Sequence, residues 1–117
     1  MEQSDFIAAL AALAQDSRLD VYRLLVQAGP EGMPAGGVAS TLELAPNTLT
    51  FHFDRLRQAG LVTVRREGRS MIYAARYDTM NELIAYLTEN CCRGASEQSG
   101  PADACKPARS KGGKILV

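Results

Sequence analysis

The sequence predicts a mainly α fold with a small β-hairpin, in the order α-α-α-α-β-β-α. Three observations predict it. Apolar residues recur at helical spacing through most of the first 60 positions and again after residue 78, two runs rich in β-formers flank Gly68, and glycine and proline mark the joints. At 117 residues, 46% hydrophobic and 22% charged, the chain has material for one compact domain.

Each element follows from its residues. Residues 5–14 place Phe6, Ile7, Leu10 and Leu13 at helical spacing, with Ser4 as the expected N-cap. After a break at Gln15-Asp16, Leu19, Tyr22, Leu25 and Val26 form a second apolar face that stops at Gly29-Pro30, a helix C-terminal signal. Residues 34–42 read as a short helix with Pro34 in its first turn, although Gly36 and Gly37 each cost about 1 kcal/mol relative to alanine. Pro46 opens a fourth helix with Leu49, Phe53 and Leu56 inward, closed by Gly60. LVTVRR and SMIYAAR form a two-stranded ribbon around Glu67-Gly68-Arg69, where glycine suits the positive φ of the turn. From Asp78, Met80, Leu83, Ile84 and Leu87 return at helical spacing in a last helix that ends near Asn90. Residues 1–90 are therefore expected to form the folded domain. Residues 91–117 are small, polar and rich in proline and glycine, and are expected to be a flexible tail because they bury too little apolar area to offset ordering entropy.

Charge and sorting signals narrow the function classes. No apolar run approaches the roughly 20 residues needed to span a bilayer, and MEQSDF lacks the order of a secretory signal, so a cytoplasmic protein with no membrane partner is expected. The formal net charge is zero, yet from Arg55 to Arg76 six arginines face one acid, Glu67. In isolation such a run reads as a solvated face. Here it falls on the second of two short helices joined by a tight turn, and on the hairpin after them.

Helix-turn-helix followed by hairpin is the winged helix-turn-helix order. A recognition helix offers its outward N-terminal residues to base edges, so Asn47, Thr48 and Thr50, with His52 beside them, are the candidate readers of double-stranded DNA. Arg55, Arg57, Arg65, Arg66 and Arg69 suit phosphates, which guanidinium matches in bidentate fashion. A lone histidine is more often structural, but the position of His52 in this helix points to DNA. Phe6, Leu10 and Leu13 near one end and Met80, Leu83, Ile84 and Leu87 near the other leave few core partners for two terminal helices, so they are expected to pair two protomers in a homodimer.

The stretches LAQDSRLDVYRLLVQAG and NTLTFHFDRLRQAGLVTVRREGRSMIY resemble the helix 2 and recognition-helix-plus-wing signatures of ArsR/SmtB bacterial metalloregulators. The similarity runs from the first helix to about Tyr86. It implies a DNA-binding repressor rather than an enzyme, matches Thr50 and His52 to the family's Ser/Thr and His, and implies a dimer built by the first and last helices.

The chain departs from that family in its inducer site. The stretch MPAGGVASTLEL lacks the cysteine pair of the founding arsenic sensors, and residues 77–90 lack histidine for the last-helix zinc site. Three cysteines remain, Cys91, Cys92 and Cys105, an arrangement similar to arsenic-responsive members with C-terminal cysteines. Structural zinc sites take four ligands, which three thiols cannot complete within one chain, whereas soft arsenic(III) or antimony(III) takes three thiolates. Cys105 could come from either protomer, since closing the loop from Cys92 costs on the order of 2 kcal/mol. No organic cofactor is expected. Methylated arsenicals, cadmium or lead remain alternative ligands, and thiol redox an alternative trigger. A thiol enzyme is disfavoured, because a helix C-terminus raises thiol pKa and no phosphate-loop pattern surrounds the cysteines.

Overall fold

The computed structural model describes residues 1–93. Its elements run α1 (Gln3–Leu13), α2 (Asp16–Ala28), β1 (Met33–Pro34), α3 (Ala35–Leu42), α4 (Pro46–Gln58), β2 (Val62–Glu67), β3 (Ser70–Ala75) and α5 (Tyr77–Leu87). Residues Met1–Ile84 form one unit, and a second begins at Ala85.

The helix ends show which local signals decide. α1 starts two residues earlier than its apolar spacing suggests, because the backbone N–H of Glu2 donates to the Asp5 carboxylate at 2.9 Å. Ser4 consequently lies inside the helix and does not cap it. Gln15 caps α2 by accepting from the Arg18 N–H at 2.8 Å, and Gly29 ends it at φ 93°. Pro34 stands one position before α3, and α3 closes on Glu43 in the left-handed region at φ 57°. Pro46 opens α4 at its first turn as expected.

The ribbon is a three-stranded antiparallel sheet in the order β1-β3-β2, a correction to the two-stranded expectation. β1 is only two residues long, with Met33 opposite Tyr73 and Pro34 opposite Ile72, too short for alternation to reveal it. Gly32 makes its approach feasible: φ is 76°, and a Cβ there would collide with the Tyr73 carbonyl. In the β2–β3 hairpin Glu67 faces Ser70, and Gly68 takes φ 62° in the turn.

Val21, Leu25, Val38, Leu56 and Leu61 are fully enclosed, and Phe53 stacks on Tyr73 with ring centroids 3.6 Å apart. Each such burial contributes roughly 1.5–3 kcal/mol. Together they press the inner face of α4 onto α2 and β3, so the helix that carries the candidate readers is held by the core. Tyr77 ties the start of α5 back to α2 by donating its hydroxyl to the Val26 carbonyl at 2.7 Å. After Leu87 the chain turns: Cys91 N–H donates to the Thr88 carbonyl at 2.9 Å, and Asn90 adopts φ 61°. Among the described residues no helix is long and apolar enough to cross a membrane.

Candidate nucleic-acid interface

α4 has two chemically distinct faces. Leu49, His52, Phe53 and Leu56 are buried, while Asn47, Thr48, Thr50, Phe51, Arg55 and Arg57 are exposed. Thr50 donates its hydroxyl to the Pro46 carbonyl at 3.0 Å. Its oxygen then points outward with lone pairs only, suited to accept from an exocyclic base amine. The Arg55 guanidinium lies 5.0 Å from the centroid of the Phe51 ring, a cation–π contact that holds both side chains. Arg57 pairs with Asp54 at 3.5 Å, and with both partners half-exposed the pair adds little stability.

His52 is the main correction to the candidate readers. Only 5% of it is exposed, its Nδ1 has no hydrogen-bond partner among the described residues, and its pKa is held below the usual histidine range first by burial and then by the Arg18 charge. The 3.6-residue period explains this: positions 49, 52, 53 and 56 share the inner face, and Thr50 and His52 cannot both face the groove. Arg18 is itself fixed, its Nε donating to the Ala12 carbonyl at 2.6 Å.

The hairpin arginines divide by anchorage. Arg65 donates to Glu67 at 2.8 Å and to the Glu31 carbonyl at 3.1 Å, which ties the strand to the loop before β1. Arg66 donates to the Gly68 carbonyl at 3.2 Å across the turn. Arg69 stands exposed in that turn. Arg76 bonds Asp78 at 2.9 Å, which holds that carboxyl below the usual carboxylate range.

The candidate dimer residues separate in the same way. Leu10, Ile84 and Leu87 are 41%, 52% and 59% exposed, whereas Phe6 and Leu83 are below 9% and Leu13 and Met80 are half-buried. Phe6 and Leu83 are therefore interior residues, because they occupy the inward centres of their helical stripes and Leu10 and Ile84 the outward margins. Ile7, 57% exposed, joins the outward set.

At the C-terminal end the Sγ atoms of Cys91 and Cys92 lie 3.5 Å apart. Cys91 is an exposed free thiol. Cys105 lies outside the described residues. Among the described residues no three His, Cys, Asp or Glu side chains gather into a metal-sized cluster.

The sequence reading missed Phe51 and, although it named Arg65, the anchorage of that residue. Phe51 falls outside the inward set of positions, a signal that period alone could have supplied, whereas the fixation of Arg65 by the Glu31 carbonyl depends on a contact 34 positions away in the chain. Comparison with known proteins bears on the whole arrangement. Residues 13–65 match a family described as a helix-turn-helix domain. The chain is 35% identical over 78 residues, 67% of its length and 77% of the other's, to the HTH-type transcriptional regulator YceK of Bacillus subtilis. Its fold is similar to that of an ArsR-like transcriptional regulator from Rhodococcus sp. RHA1, with a TM-score of 0.68 at 21% identity, covering 93% of this chain and 97% of that one. It is also similar to the homodimeric winged helix-turn-helix DNA-binding domain of Mb0332 from Mycobacterium bovis, with a TM-score of 0.62 at 20% identity over 84% and 89% of the two chains. These are regulators and not enzymes, and with the polar outer face of α4 and the arginine-bearing hairpin in place, the chain belongs to the ArsR/SmtB family of winged helix-turn-helix transcriptional regulators.

Proposed function

We propose that the chain acts as a homodimeric repressor in the cytoplasm, holds operator DNA with two α4 helices and two hairpins, and releases it when arsenic(III) binds Cys91, Cys92 and Cys105. The observation that carries the ligand is the 3.5 Å separation of the Cys91 and Cys92 Sγ atoms. A single thiophilic centre, with bonds to sulfur on the scale of roughly 2.3 Å, can bridge two sulfurs at that distance. Cys105 completes the three thiolates that arsenic(III) or antimony(III) takes.

The dimer rests on exposed Ile7, Leu10 and Ile84, three apolar side chains that a lone protomer leaves in water. It places two α4 helices about one DNA turn apart, roughly 34 Å. Ile84→Asp should yield monomers that still fold. Leu83→Asp would test the interior instead, since Leu83 is 6% exposed.

The test is fluorescence anisotropy of the reduced full chain on a duplex selected by it from a random library, with and without arsenite. Tight, salt-dependent binding that arsenite abolishes, and that Cys91→Ser renders insensitive to arsenite, is the expected result. Unchanged binding under arsenite would falsify the inducer assignment while leaving DNA recognition standing. Antimonite, methylated arsenicals, cadmium and lead in the same assay rank the alternative ligands.

A second reading is control by thiol oxidation, since Cys91 is an exposed thiol with the Cys92 sulfur 3.5 Å away. It expects peroxide or diamide to change the affinity without any metalloid, and Cys92→Ser to remove that change.

A further inference from the structure

We propose that Phe51 is a base-reading residue that packs on the C5-methyl group of a thymine in the major groove. The proposal rests on the DNA-binding role of α4 and names one of the features that α4 recognises.

The position carries it. Phe51 is 50% exposed and lies in the outward row Asn47, Phe51, Arg55, spaced i, i+4, i+8 on a helix whose inner face is fully occupied by the core. Its exposed neighbours on α4 are Asn47, Thr48, Thr50 and Arg55, all polar, and the concavity on its other side is lined by Ala8, Ala11 and Ala12 of α1, so the ring is the one large apolar side chain on the outer face of α4. The major-groove edges of the bases likewise present one apolar group, the thymine methyl, against which phenylalanine is a fitting partner. A protomer–protomer contact would draw on the larger exposed aliphatic residues Ile7, Leu10 and Ile84 of α1 and α5, whereas the α1 alanines beside Phe51 offer only methyl groups.

Arg55 adds preorganisation. Its guanidinium sits 5.0 Å from the ring centroid, so one face of Phe51 is covered and the ring is steadied before DNA arrives. Asn47, one turn away, has the carboxamide that pairs bidentately with adenine. Side chains four apart on a helix lie about 5–6 Å from each other, while successive bases along a strand step by about 3.4 Å. The two residues can therefore read an adenine and a thymine within one or two base steps.

The experiment uses the full-length chain and a duplex that it selects from a random library. Each thymine is replaced in turn by deoxyuridine, symmetrically in both half-sites, which removes only the methyl group. One position should weaken wild-type binding by about 15-fold, fourfold per half-site, the effect of losing one buried methyl in each. Phe51→Ala should bind thymine and uracil duplexes within about twofold of each other while remaining a dimer by sedimentation, and Phe51→Leu should keep part of the discrimination. Equal uracil sensitivity in wild type and Phe51→Ala at every position, a selected consensus without thymine, or loss of the dimer in Phe51→Ala would overturn the proposal. Failure to enrich any duplex would instead remove the DNA-binding role of α4 on which it rests.

Discussion

α4 and the β2–β3 hairpin both carry exposed arginines, but they hold them differently. On α4 the support is the helix itself: Leu49, Phe53 and Leu56 lock its inner face into the core, and Arg55 leans on Phe51 in the outer row. In the hairpin the arginines are fastened one by one to backbone carbonyls, Arg65 to Glu31 and Arg66 to Gly68, while Arg69 stands in the turn. The difference teaches that arginines alike in sequence divide into readers, clamps and struts according to what already occupies their donors. Base reading needs a rigid axis, which a core can supply. Phosphate contact tolerates a short, exposed hairpin, because positioning by charge is less demanding than hydrogen bonding to a base edge.

The largest expected effect comes from cutting the link between the two regions. Phe53 is 2% exposed and stacked on Tyr73 of β3, so Phe53→Ala should cost about 3–5 kcal/mol, read by urea denaturation. A cost below about 1 kcal/mol would mean that helix and sheet are held independently. Next, Asn47→Ala should relax base preference at one position per half-site by about 1–3 kcal/mol, with the salt slope unchanged. Competition binding against single-base operator variants checks it, and a uniform loss across all variants would assign Asn47 to the phosphates.

The hairpin should answer in the opposite sense. Arg69→Ala should weaken binding to every duplex alike and reduce the salt slope by about one per protomer. Arg65→Ala should change the slope less, because its guanidinium already serves Glu67 and the Glu31 carbonyl. Equal slopes for the two variants would erase the distinction between clamp and strut.

The smallest effect concerns His52. Burial and Arg18 lower its folded pKa below the ordinary value of 6.5, so the unfolded chain binds the proton more readily. The corresponding stability is fully present above about pH 6.5 and is lost as pH falls through the lowered folded value. Thermal unfolding at pH 7.5 and 5.5 should show wild type losing more than His52→Gln. An identical loss in the two proteins would return His52 to the surface.

Most of the element order was legible without coordinates, since apolar spacing, proline at position 46 and glycine at positions 29 and 68 act locally, within a few residues of the structure they produce. For the same reason the polar outer positions Asn47, Thr48 and Thr50 and the hairpin arginines could be named as candidates from period and composition. Local signals did not reach β1, whose two residues form a strand only because β3 lies alongside them and Gly32 permits the approach. Nor did they place His52, whose neighbour in space, Arg18, is 34 positions earlier, or separate interior Phe6 and Leu83 from exposed Leu10 and Ile84 on their own helices. The sequence by itself determined the five helices, the β2–β3 hairpin and the polar residue types on the outer face of α4, because hydrogen-bonded turns and caps are satisfied within a few residues. Only the tertiary structure decided which of those residues remain accessible, because burial is a property of what packs across the chain and not of any one segment.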